Sequence, residues 1–376
     1  MVVPNLAAYR PTIVEIDMNA FQHNVKQFKK LAQDVLLLAV VKTNAYGHGV
    51  LRMGEKAIEA GAERLGVTTV EEGVYLRTNG IAHPVHLLST VSSEQAADIV
   101  KYNLIPSVSG AQFLQILNEE AVKAEKVISV HLKIDVGLHR FGMLPDEALS
   151  FCENHASLPG INFEGIYTHF SEADEGRWDV TDYQYSLFRQ TVDELEVAGY
   201  HFSITHVGAS TIALERPDMF CDMIRPGIAL FGYTPEARQE NILPLQSVLQ
   251  LKSTVLRVRT IPKNSGVGYG ASFRADKERK IAIVPIGHGD GYSRALSNKG
   301  EVLVRGRRAP IIGTISLDQT FIDVTDIPNV TEGDEVVLIG KQGNDWISAR
   351  DVAFWMDSIV DEVLAGILER VRRVYR

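Results

Sequence analysis

Eight short apolar runs between residues 36 and 230 constrain the fold of this 376-residue chain more than any other feature. Apolar runs of this length predict strands that are buried on both faces, as the strands of a parallel sheet are. Segments with helical periodicity separate the runs, for example Ser93–Tyr102, Ala111–Ala124 and Val180–Ala198. Strands alternating with helices in this way indicate the α/β class, and they predict a (β/α)₈ TIM-type barrel rather than an open doubly wound sheet. The predicted strands are Leu36–Lys42, Arg64–Thr69, Val85–Ser89, Ile105–Ser109, Val130–Asp135, Gly165–Phe170, Ile204–Gly208 and Met223–Leu230.

The pattern changes near Pro244, beyond which apolar residues recur at every second position. Period-two runs are typical of strands with one buried face. We therefore predict two domains, a barrel over residues 1–243 and a mostly-β C-terminal domain over residues 244–376. Ser348 and Asp351 have the spacing of a helix capping box, which predicts a helical tail running to about Arg373. The predicted C-terminal strands are Val248–Thr260, Lys280–Pro285, Val302–Val304, Ala309–Thr314, Thr320–Val324 and Glu335–Ile339.

The composition argues against several classes of partner. The formal net charge is −9, so we expect neither nucleic acid nor an anionic membrane surface as a partner. No apolar run approaches the roughly 20 residues that span a bilayer. With only two cysteines, Cys152 and Cys221, and no visible signal peptide, we expect a location in the reducing cytoplasm. We expect no metal.

Lys42 follows directly on the apolar run that begins at Leu36, which places it at the C-terminal end of a predicted barrel strand. Catalytic residues of such barrels lie at this end. A lysine partly withdrawn from water loses its charge easily and can form a Schiff base with an aldehyde. A lone lysine at a strand end is usually only solvated, but Tyr46 and the backbone of Gly47 and Gly49 add donors that suit a phosphate. A lysine beside a phosphate site suggests pyridoxal phosphate.

Other predicted strand ends also carry reactive or polar groups. Each group has a structural explanation when taken alone, since buried histidines are more often core residues than catalytic ones. Several such groups at the strand ends of one barrel nevertheless predict an active site. The second domain adds Tyr269 within Gly266–Gly270, a stretch that is no dinucleotide-binding motif without a following helix. The groups of the first domain are Lys133, Arg140, His169, His206, Ser210, Arg225, Gly227 and Ile228.

In these motifs the chain resembles the barrel-type alanine racemases, over nearly its whole length. The most specific matches are Ala39-Val-Val-Lys42-Thr-Asn-Ala-Tyr46-Gly-His-Gly49, and Ile224-Arg225-Pro-Gly-Ile228-Ala-Leu followed by Val267-Gly-Tyr269-Gly. The resemblance implies a pyridoxal-phosphate-dependent racemase that interconverts L- and D-alanine and supplies D-alanine for peptidoglycan. It also implies a head-to-tail homodimer, in which Tyr269 reaches the active site of the partner chain.

The resemblance implies two bases. Lys42 would hold the cofactor and act as the base on one face of the substrate α-carbon, and Tyr269 would be the base on the opposite face. Racemisation needs both, because one face donates the proton that the other removes. The pKa of a free lysine is about 10.4 and that of a free tyrosine is about 10, so nearby cations or the cofactor must lower each pKa toward neutrality.

The resemblance also assigns the residues around the cofactor. Arg225 would face the pyridine nitrogen and leave it unprotonated, because an arginine cannot accept a proton there. His206 would lie near Arg225, and His169 would link Arg225 to Tyr269. The phosphate would be held by Tyr46, Ser210 and the backbone of Gly227 and Ile228.

The substrate side departs from the family pattern in several places. Arg140 would approach the phenolic oxygen of the cofactor, steadied by Lys133, which is carbamylated in some family members. Ser316-Leu317-Asp318 stands where Cys-Met-Asp is usual, and its backbone would meet the substrate carboxylate. Asp361 and His288 replace tyrosines that lie near the substrate and at the entrance. These changes leave serine, or a broader range of amino acids, as the alternative to alanine.

Two other functions share part of these features. A barrel-type pyridoxal-phosphate decarboxylase of basic amino acids has the same barrel and lysine. It would pair the pyridine nitrogen with an acid, however, and Arg225 argues against this. A non-enzymatic cofactor-binding protein with this barrel has a single domain, so the second domain and Tyr269 argue against that function.

Overall fold

The computed structural model describes residues 10–376. The expectation that the chain has no signal peptide concerns its N-terminus and lies outside the described residues. The chain forms two compact units. The barrel unit contains residues 20–45 and 50–247, and the second unit contains the described residues up to Asn19 together with 46–49 and 248–376. The predicted division at residue 243 differs from this arrangement in two ways. It gives the N-terminal residues and segment 46–49 to the barrel, and it gives residues 244–247 to the second domain.

The barrel unit consists of eight parallel strands, which neighbour one another in the order given by the chain except for the last. The first strand of the chain, β1 (Ile13–Ile16), belongs to the second unit. The barrel strands are β2 (Leu36–Val40), β3 (Arg64–Val67), β4 (Val85–Leu87), β5 (Ile105–Val108), β6 (Ile128–Lys133), β7 (Ile161–Tyr167), β8 (Ile204–His206) and β9 (Met223–Ile224). β9 pairs with β2, and Asp222 links β9 to β8 by donating from its N–H to the carbonyl of Thr205 over 2.9 Å. The predicted α/β class and (β/α)₈ barrel are confirmed.

Helices connect the barrel strands, as the sequence pattern predicts. In α1 the buried residues Phe21, Val25 and Phe28 form one apolar face. The strand predicted over Met223–Leu230 is shorter than expected, because Pro226 has no N–H to donate and a 3₁₀ turn follows at Ile228–Phe231. The helices are α1 (Met18–Leu31), α3 (Val50–Glu59), α4 (Val70–Thr78), α5 (Ala96–Tyr102), α6 (Ala111–Lys123), α7 (Pro145–His155), α8 (Trp178–Val197) and α9 (Ser210–Glu215), and the single turn α2 (Lys42–Tyr46) is left-handed.

The second unit is mostly β, as predicted. Besides β1, its strands are β10 (Leu249–Thr254), β11 (Arg257–Ile261), β12 (Gly266–Val267), β13 (Phe273–Arg274), β14 (Arg279–Val284), β15 (Glu301–Val304), β16 (Arg307–Pro310), β17 (Thr320–Asp323), β18 (Glu335–Gln342), β19 (Asp345–Ile347) and β20 (Arg372–Tyr375). The main sheet has the order β16-β15-β18-β10-β1-β20, with β19 pairing β18, and β11-β14-β17 form a smaller sheet. β1 lies between β10, with which it is antiparallel, and β20, with which it is parallel. These pairings explain why the N-terminal residues belong to this unit.

The prediction of a continuous helical tail to Arg373 is wrong. The capping box is present, since Ser348 Oγ accepts a hydrogen bond from the N–H of Asp351 over 3.0 Å and opens α10 (Ala349–Met356). Asp357 then adopts a left-handed conformation with φ of 57° and ends the helix. A second short helix, α11 (Val360–Ala365), follows, and the last residues form β20 because pairing with β1 satisfies their backbone groups.

Candidate active site

The predicted site residues divide between the two units. In the barrel unit they stand at or after the C-terminal ends of strands, which is where such barrels place their active sites. The barrel unit contains Lys42, Arg140, His169, His206, Ser210, Arg225, Gly227 and Ile228, and the second unit contains Tyr46, Tyr269, Leu317, Asp318 and Asp361.

Lys42 follows β2 and begins a left-handed turn. The four residues after it all have positive φ, with values of 56° at Thr43, 52° at Asn44, 54° at Ala45 and 50° at Tyr46. This conformation costs an L-residue roughly 1–2 kcal/mol, so the turn persists only because its surroundings hold it. Strained backbone of this kind is concentrated at functional sites. The conformation of the turn therefore supports the predicted functional role of the Lys42 segment, independently of its sequence motif.

Two residues that the sequence did not single out hold this turn. The N–H of Asn44 donates to the carboxylate of Glu72 over 2.8 Å, and the side chain of Asn44 accepts from the N–H of Val50 over 2.8 Å. Glu72 stands three residues after Thr69, whose hydroxyl caps α4 by accepting from the N–H of Glu72. The Thr69–Glu72 spacing could have drawn attention to Glu72 in the sequence. It predicts only the start of a helix, however, and not a contact with the lysine turn.

Arg225 is a buried cation just after β9, with 3% of its surface exposed. Its guanidinium donates to Nδ1 of His206 over 2.6 Å, and to the carbonyl oxygens of Val207 over 2.7 Å and Thr168 over 3.0 Å. A longer contact of 3.4 Å joins it to Nδ1 of His169. The structure thus brings three predicted site residues together. Burial lowers the pKa of Arg225 to about 10, which still leaves the group charged at neutral pH.

Further cations surround this cluster. Lys133 is only 1% exposed, and burial together with the charges of Arg225 and Arg140 lowers its pKa to about 7. The pKa of His169 is lowered by burial and by four cations, which are Arg225, Lys133, Arg140 and Lys42. The predicted residues Lys42 and Arg140 therefore both lie within electrostatic reach of His169. A cluster of cations of this kind suits an anionic ligand.

Ser210, Gly227 and Ile228 lie together at the same end of the barrel unit. Ser210 opens α9 and is 3% exposed, and its hydroxyl accepts from the N–H of Gly227 over 3.0 Å. Gly208 lies just before α9, and a Cβ at this position would be 2.1 Å from the side chain of Ile212, so only glycine fits. A hydroxyl and backbone N–H groups at the start of two turns are the kind of donors that suit a phosphate, as predicted for these residues.

In the second unit, Tyr46 is buried and Asp361 lies within electrostatic reach of it. Burial raises the pKa of the Tyr46 hydroxyl, and the carboxylate of Asp361 raises it further. Arg373 anchors the adjoining segment by donating to the carbonyl of Gly47 over 3.0 Å. Tyr46 therefore stays protonated at neutral pH and remains a hydrogen-bond donor, as a phosphate ligand must be.

Tyr269 is an exposed aromatic residue of the second unit, with 77% of its surface accessible. It lies between Gly268 and Gly270, which have φ values of 68° and 70°. These left-handed conformations favour glycine on both sides of the tyrosine and explain the Gly-Tyr-Gly spacing. The side chain is thus presented at the surface by a tight turn.

Leu317 and Asp318 are also exposed, and an arginine that the sequence did not identify contacts this segment. Arg370 donates to the carboxylate of Asp318 over 2.7 Å and to that of Asp290 over 3.0 Å. Asp290 is fully buried, so it fixes Arg370 in place. A single arginine in the C-terminal segment belongs to no motif, and only the folded chain connects it to Asp318.

Comparison with known proteins identifies the class that this fold and site define. Residues 16–235 match the family described as alanine racemase, N-terminal domain, and residues 248–375 match alanine racemase, C-terminal domain. A barrel of this type with its mostly-β partner is the architecture of pyridoxal-phosphate-dependent racemases. The chain belongs to the alanine racemase family.

Individual relatives support this membership. An alanine racemase of Halothermothrix orenii is 42% identical over 368 residues, which cover 98% of this chain and 97% of the relative. The crystal structure of an alanine racemase from E. faecalis superposes with a TM-score of 0.93 at 32% identity and covers 100% of both chains. A histidine racemase from Leuconostoc mesenteroides subsp. sake has a TM-score of 0.90 at 28% identity, covering 98% of this chain and 99% of that one. These comparisons identify the racemase family rather than the decarboxylase or the non-enzymatic alternative.

Between residues 10 and 376, every helix is too short or too polar to cross a membrane. Cys152 is a buried free thiol, and Cys221 is a partly buried one.

Proposed function

We propose that this chain is a pyridoxal-phosphate-dependent alanine racemase, which interconverts L- and D-alanine. The observation that carries the proposal is Lys42 at the start of its strained turn, within electrostatic reach of His169, whose pKa is also lowered by the cations Arg225, Lys133 and Arg140. β2 and β9 are adjacent parallel strands, with Leu37 paired to Ile224, so Lys42 and Arg225 follow neighbouring strands at the same barrel end.

The residues present fit the cofactor. A lysine provides covalent attachment, and the cations together with the Ser210 hydroxyl suit a phosphate ester. Lys42 would hold the cofactor, and Tyr46, Ser210, Gly227 and Ile228 would hold its phosphate. When bound, pyridoxal phosphate stabilises negative charge that develops on the substrate α-carbon.

Arg225 would donate to the pyridine nitrogen. Its pKa of about 10 means that it is a donor at neutral pH, so it leaves that nitrogen unprotonated. The hydrogen bonds to His206, Val207 and Thr168 fix the plane of the guanidinium, and the contact with His169 adds a further restraint. This arrangement favours returning a proton to the α-carbon over loss of carbon dioxide, which would profit from a stronger electron sink.

Two residues would move protons at the α-carbon. Lys42 Nζ would take or give the proton on one face, and Tyr269 Oη would do so on the other. Lys42 lies within electrostatic reach of His169, as do Arg225, Lys133 and Arg140. Arg140 would orient the phenolic oxygen of the cofactor, with Lys133 beside it.

A homodimer would complete each site. The exposure of Tyr269 supports this, because a catalytic phenol on the surface of one chain can act only where a second surface covers it. Two large apolar side chains of the same unit, Phe354 and Ile359, are 81% and 64% exposed and support a covered face. We propose that Tyr269 serves the active site of the partner chain.

Alanine is the proposed substrate, and serine is the second candidate. A backbone N–H of the Leu317–Asp318 segment would meet the substrate carboxylate, with Arg370 holding the side chain of Asp318 in place. The electrostatic influence of Asp361 on Tyr46 supports a position of this carboxylate near the phosphate and substrate. An acid there supplies an acceptor for a substrate hydroxyl, which a buried apolar pocket lacks.

The proposed role is the supply of D-alanine for peptidoglycan, in the cytoplasm. Free thiols at Cys152 and Cys221 are compatible with a reducing compartment.

Reduction of the purified holoenzyme with borohydride tests the attachment of the cofactor. Peptide mass mapping should find pyridoxyl phosphate on Lys42, because reduction fixes the bond between the lysine and the aldehyde. Lys42→Ala should abolish both the label and alanine racemisation, whereas Lys126→Ala, which removes an exposed lysine, should change neither. A label on another lysine in the wild-type protein would overturn the assignment.

A further inference from the structure

A chain of hydrogen-bonded polar side chains runs through the interior of the barrel unit, and we call it the barrel relay. It starts at Arg64, the first residue of β3, and ends at Arg225, which follows β9. It thus joins the N-terminal end of the barrel to the arginine at its C-terminal end. The members of the relay are Arg64, Glu164, His131, His206 and Arg225.

The two arginines determine the direction of every hydrogen bond in the relay. Arg225 can only donate, so Nδ1 of His206 must accept over 2.6 Å, and the proton of this imidazole is on Nε2. His206 Nε2 therefore donates to Nδ1 of His131 over 2.7 Å, which puts the His131 proton on Nε2 as well. His131 Nε2 then donates to the carboxylate of Glu164 over 3.1 Å. Arg64 donates to the same carboxylate over 2.9 and 3.0 Å.

This pattern requires both imidazoles to be neutral and Glu164 to be ionised. Burial lowers the pKa of His131 and of His206. Burial opposes ionisation of Glu164, but the hydrogen bonds from His131 and Arg64 outweigh it and lower the pKa of Glu164 to about 2. The charges that act on the imidazoles come from Glu164, Arg64 and Arg225, with neutral His86 packed against His131.

The backbone is shaped to admit this relay. β6 and β7 change register between Val130 and His131, so that Val130 pairs with Phe163 but His131 pairs with Gly165. Glu164 is the extra residue of this bulge, which turns it toward His131. A Cβ on Gly165 would lie 2.4 Å from the imidazole of His131, so glycine makes room for the ring.

A metal ion is a weaker explanation of the same residues. His86, His131 and Glu164 have ligand atoms within 4.8 Å of one another. Arg64, however, already pairs with both oxygens of Glu164 and donates to Nε2 of His86 over 3.1 Å. A cation at this point would have to displace a guanidinium from its carboxylate.

We propose that Glu164 and His131 are positioning residues for the racemisation, acting through His206 on Arg225. The inference rests on the proposed function, because Arg225 matters there as the partner of the pyridine nitrogen. Glu164 is the carboxylate of the relay, and it polarises the two neutral imidazoles so that His206 presents a strong acceptor to Arg225. The relay thereby holds the guanidinium in one orientation, although neither Glu164 nor His131 contacts the substrate.

Glu164→Gln tests this in the holoenzyme. An amide has an N–H₂ group where the carboxylate has one of its oxygens. In either orientation Arg64 would face a donor, and in one of them His131 would face it as well, so the relay would lose the carboxylate that accepts from both residues. The kcat for alanine should fall about ten-fold, the factor that a charge-assisted hydrogen bond supplies, while KM changes by less than about two-fold. Glu63→Gln is the matched control, since Glu63 adjoins Arg64 but pairs with Lys29 and the N–H of Leu37 outside the relay. This control should leave both constants unchanged.

Histidine nitrogen NMR of the wild-type holoenzyme measures the protonation state and tautomer of His131 and His206 directly. His131 and His206 should both be neutral with the proton on Nε2, and Glu164→Gln should move both signals while Glu63→Gln moves neither. A charged His131, or a proton on Nδ1 of His206, would overturn the proposal, even if Glu164→Gln does not fold. So would a Glu164→Gln enzyme with wild-type kcat. Lack of alanine racemisation by the wild type would instead refute the proposed function, and the NMR signals would still report on the relay.

Discussion

Replacing Lys133 by methionine should make the protein more stable at low pH than at high pH, relative to wild type. Lys133 is 1% exposed, and its pKa is lowered from 10.5 to about 7, mainly by burial. Between these values the unfolded chain binds a proton that the folded protein does not bind. The free energy of unfolding therefore rises with pH, by about 1.4 kcal/mol per unit from this one group. Below pH 7 the folded protein carries the whole cost of the buried charge, about 5 kcal/mol.

Urea unfolding of wild type and Lys133→Met at about pH 6 and about pH 10 measures this effect. Methionine has a similar length and no charge, so the stabilisation should be large at the lower pH and should nearly vanish at the higher one. Buffers are purged of carbon dioxide, because a carbamate on Lys133 would remove the titration. Lys126→Met, at an exposed lysine, provides the control for pH effects elsewhere. A difference between wild type and Lys133→Met that is the same at both pH values would refute the reasoning.

Three further predictions concern the two bases, the substrate and the buried arginine. A mixture of equal amounts of Lys42→Ala and Tyr269→Phe chains should regain about a quarter of wild-type activity after subunit exchange, because half of the dimers are mixed and each mixed dimer has one intact site. No recovery would mean that each site is built from one chain. Asp361→Tyr should lower kcat/KM for serine over alanine roughly five-fold, and an unchanged ratio would remove Asp361 from substrate selection. Arg225→Lys should lower the free energy of unfolding by about 1–3 kcal/mol, since an ammonium cannot reach all the acceptors of the guanidinium, and equal urea midpoints would contradict this.

Periodicity predicted the barrel because most of its strands are buried on both faces and most of its longer helices on one. The same pattern identified the strand ends at Lys42 and near His206, since the C-terminal ends of parallel strands meet at one end of a barrel. Arg225 fell inside the strand predicted over Met223–Leu230, and only the family resemblance put it beside His206.

Long-range pairing and local irregularity could not be predicted in this way. Glu164 faces His131 only because a bulge adds a residue to β7, and alternation along a strand carries no signal for a bulge. The last residues form a strand because β1, more than 350 positions earlier, lies beside them. Asn44 and Glu72 support the lysine turn through contacts between segments that are far apart in the sequence.

Racemisation of alanine by the purified chain, followed from each enantiomer, tests the central claim most directly. With pyridoxal phosphate bound, L-alanine and D-alanine should both proceed to equal amounts of the two enantiomers, and circular dichroism measures both approaches. Lys42→Ala should stop the reaction in either direction. Failure of the wild-type holoenzyme to interconvert the enantiomers, or consumption of alanine with release of carbon dioxide, would contradict the account.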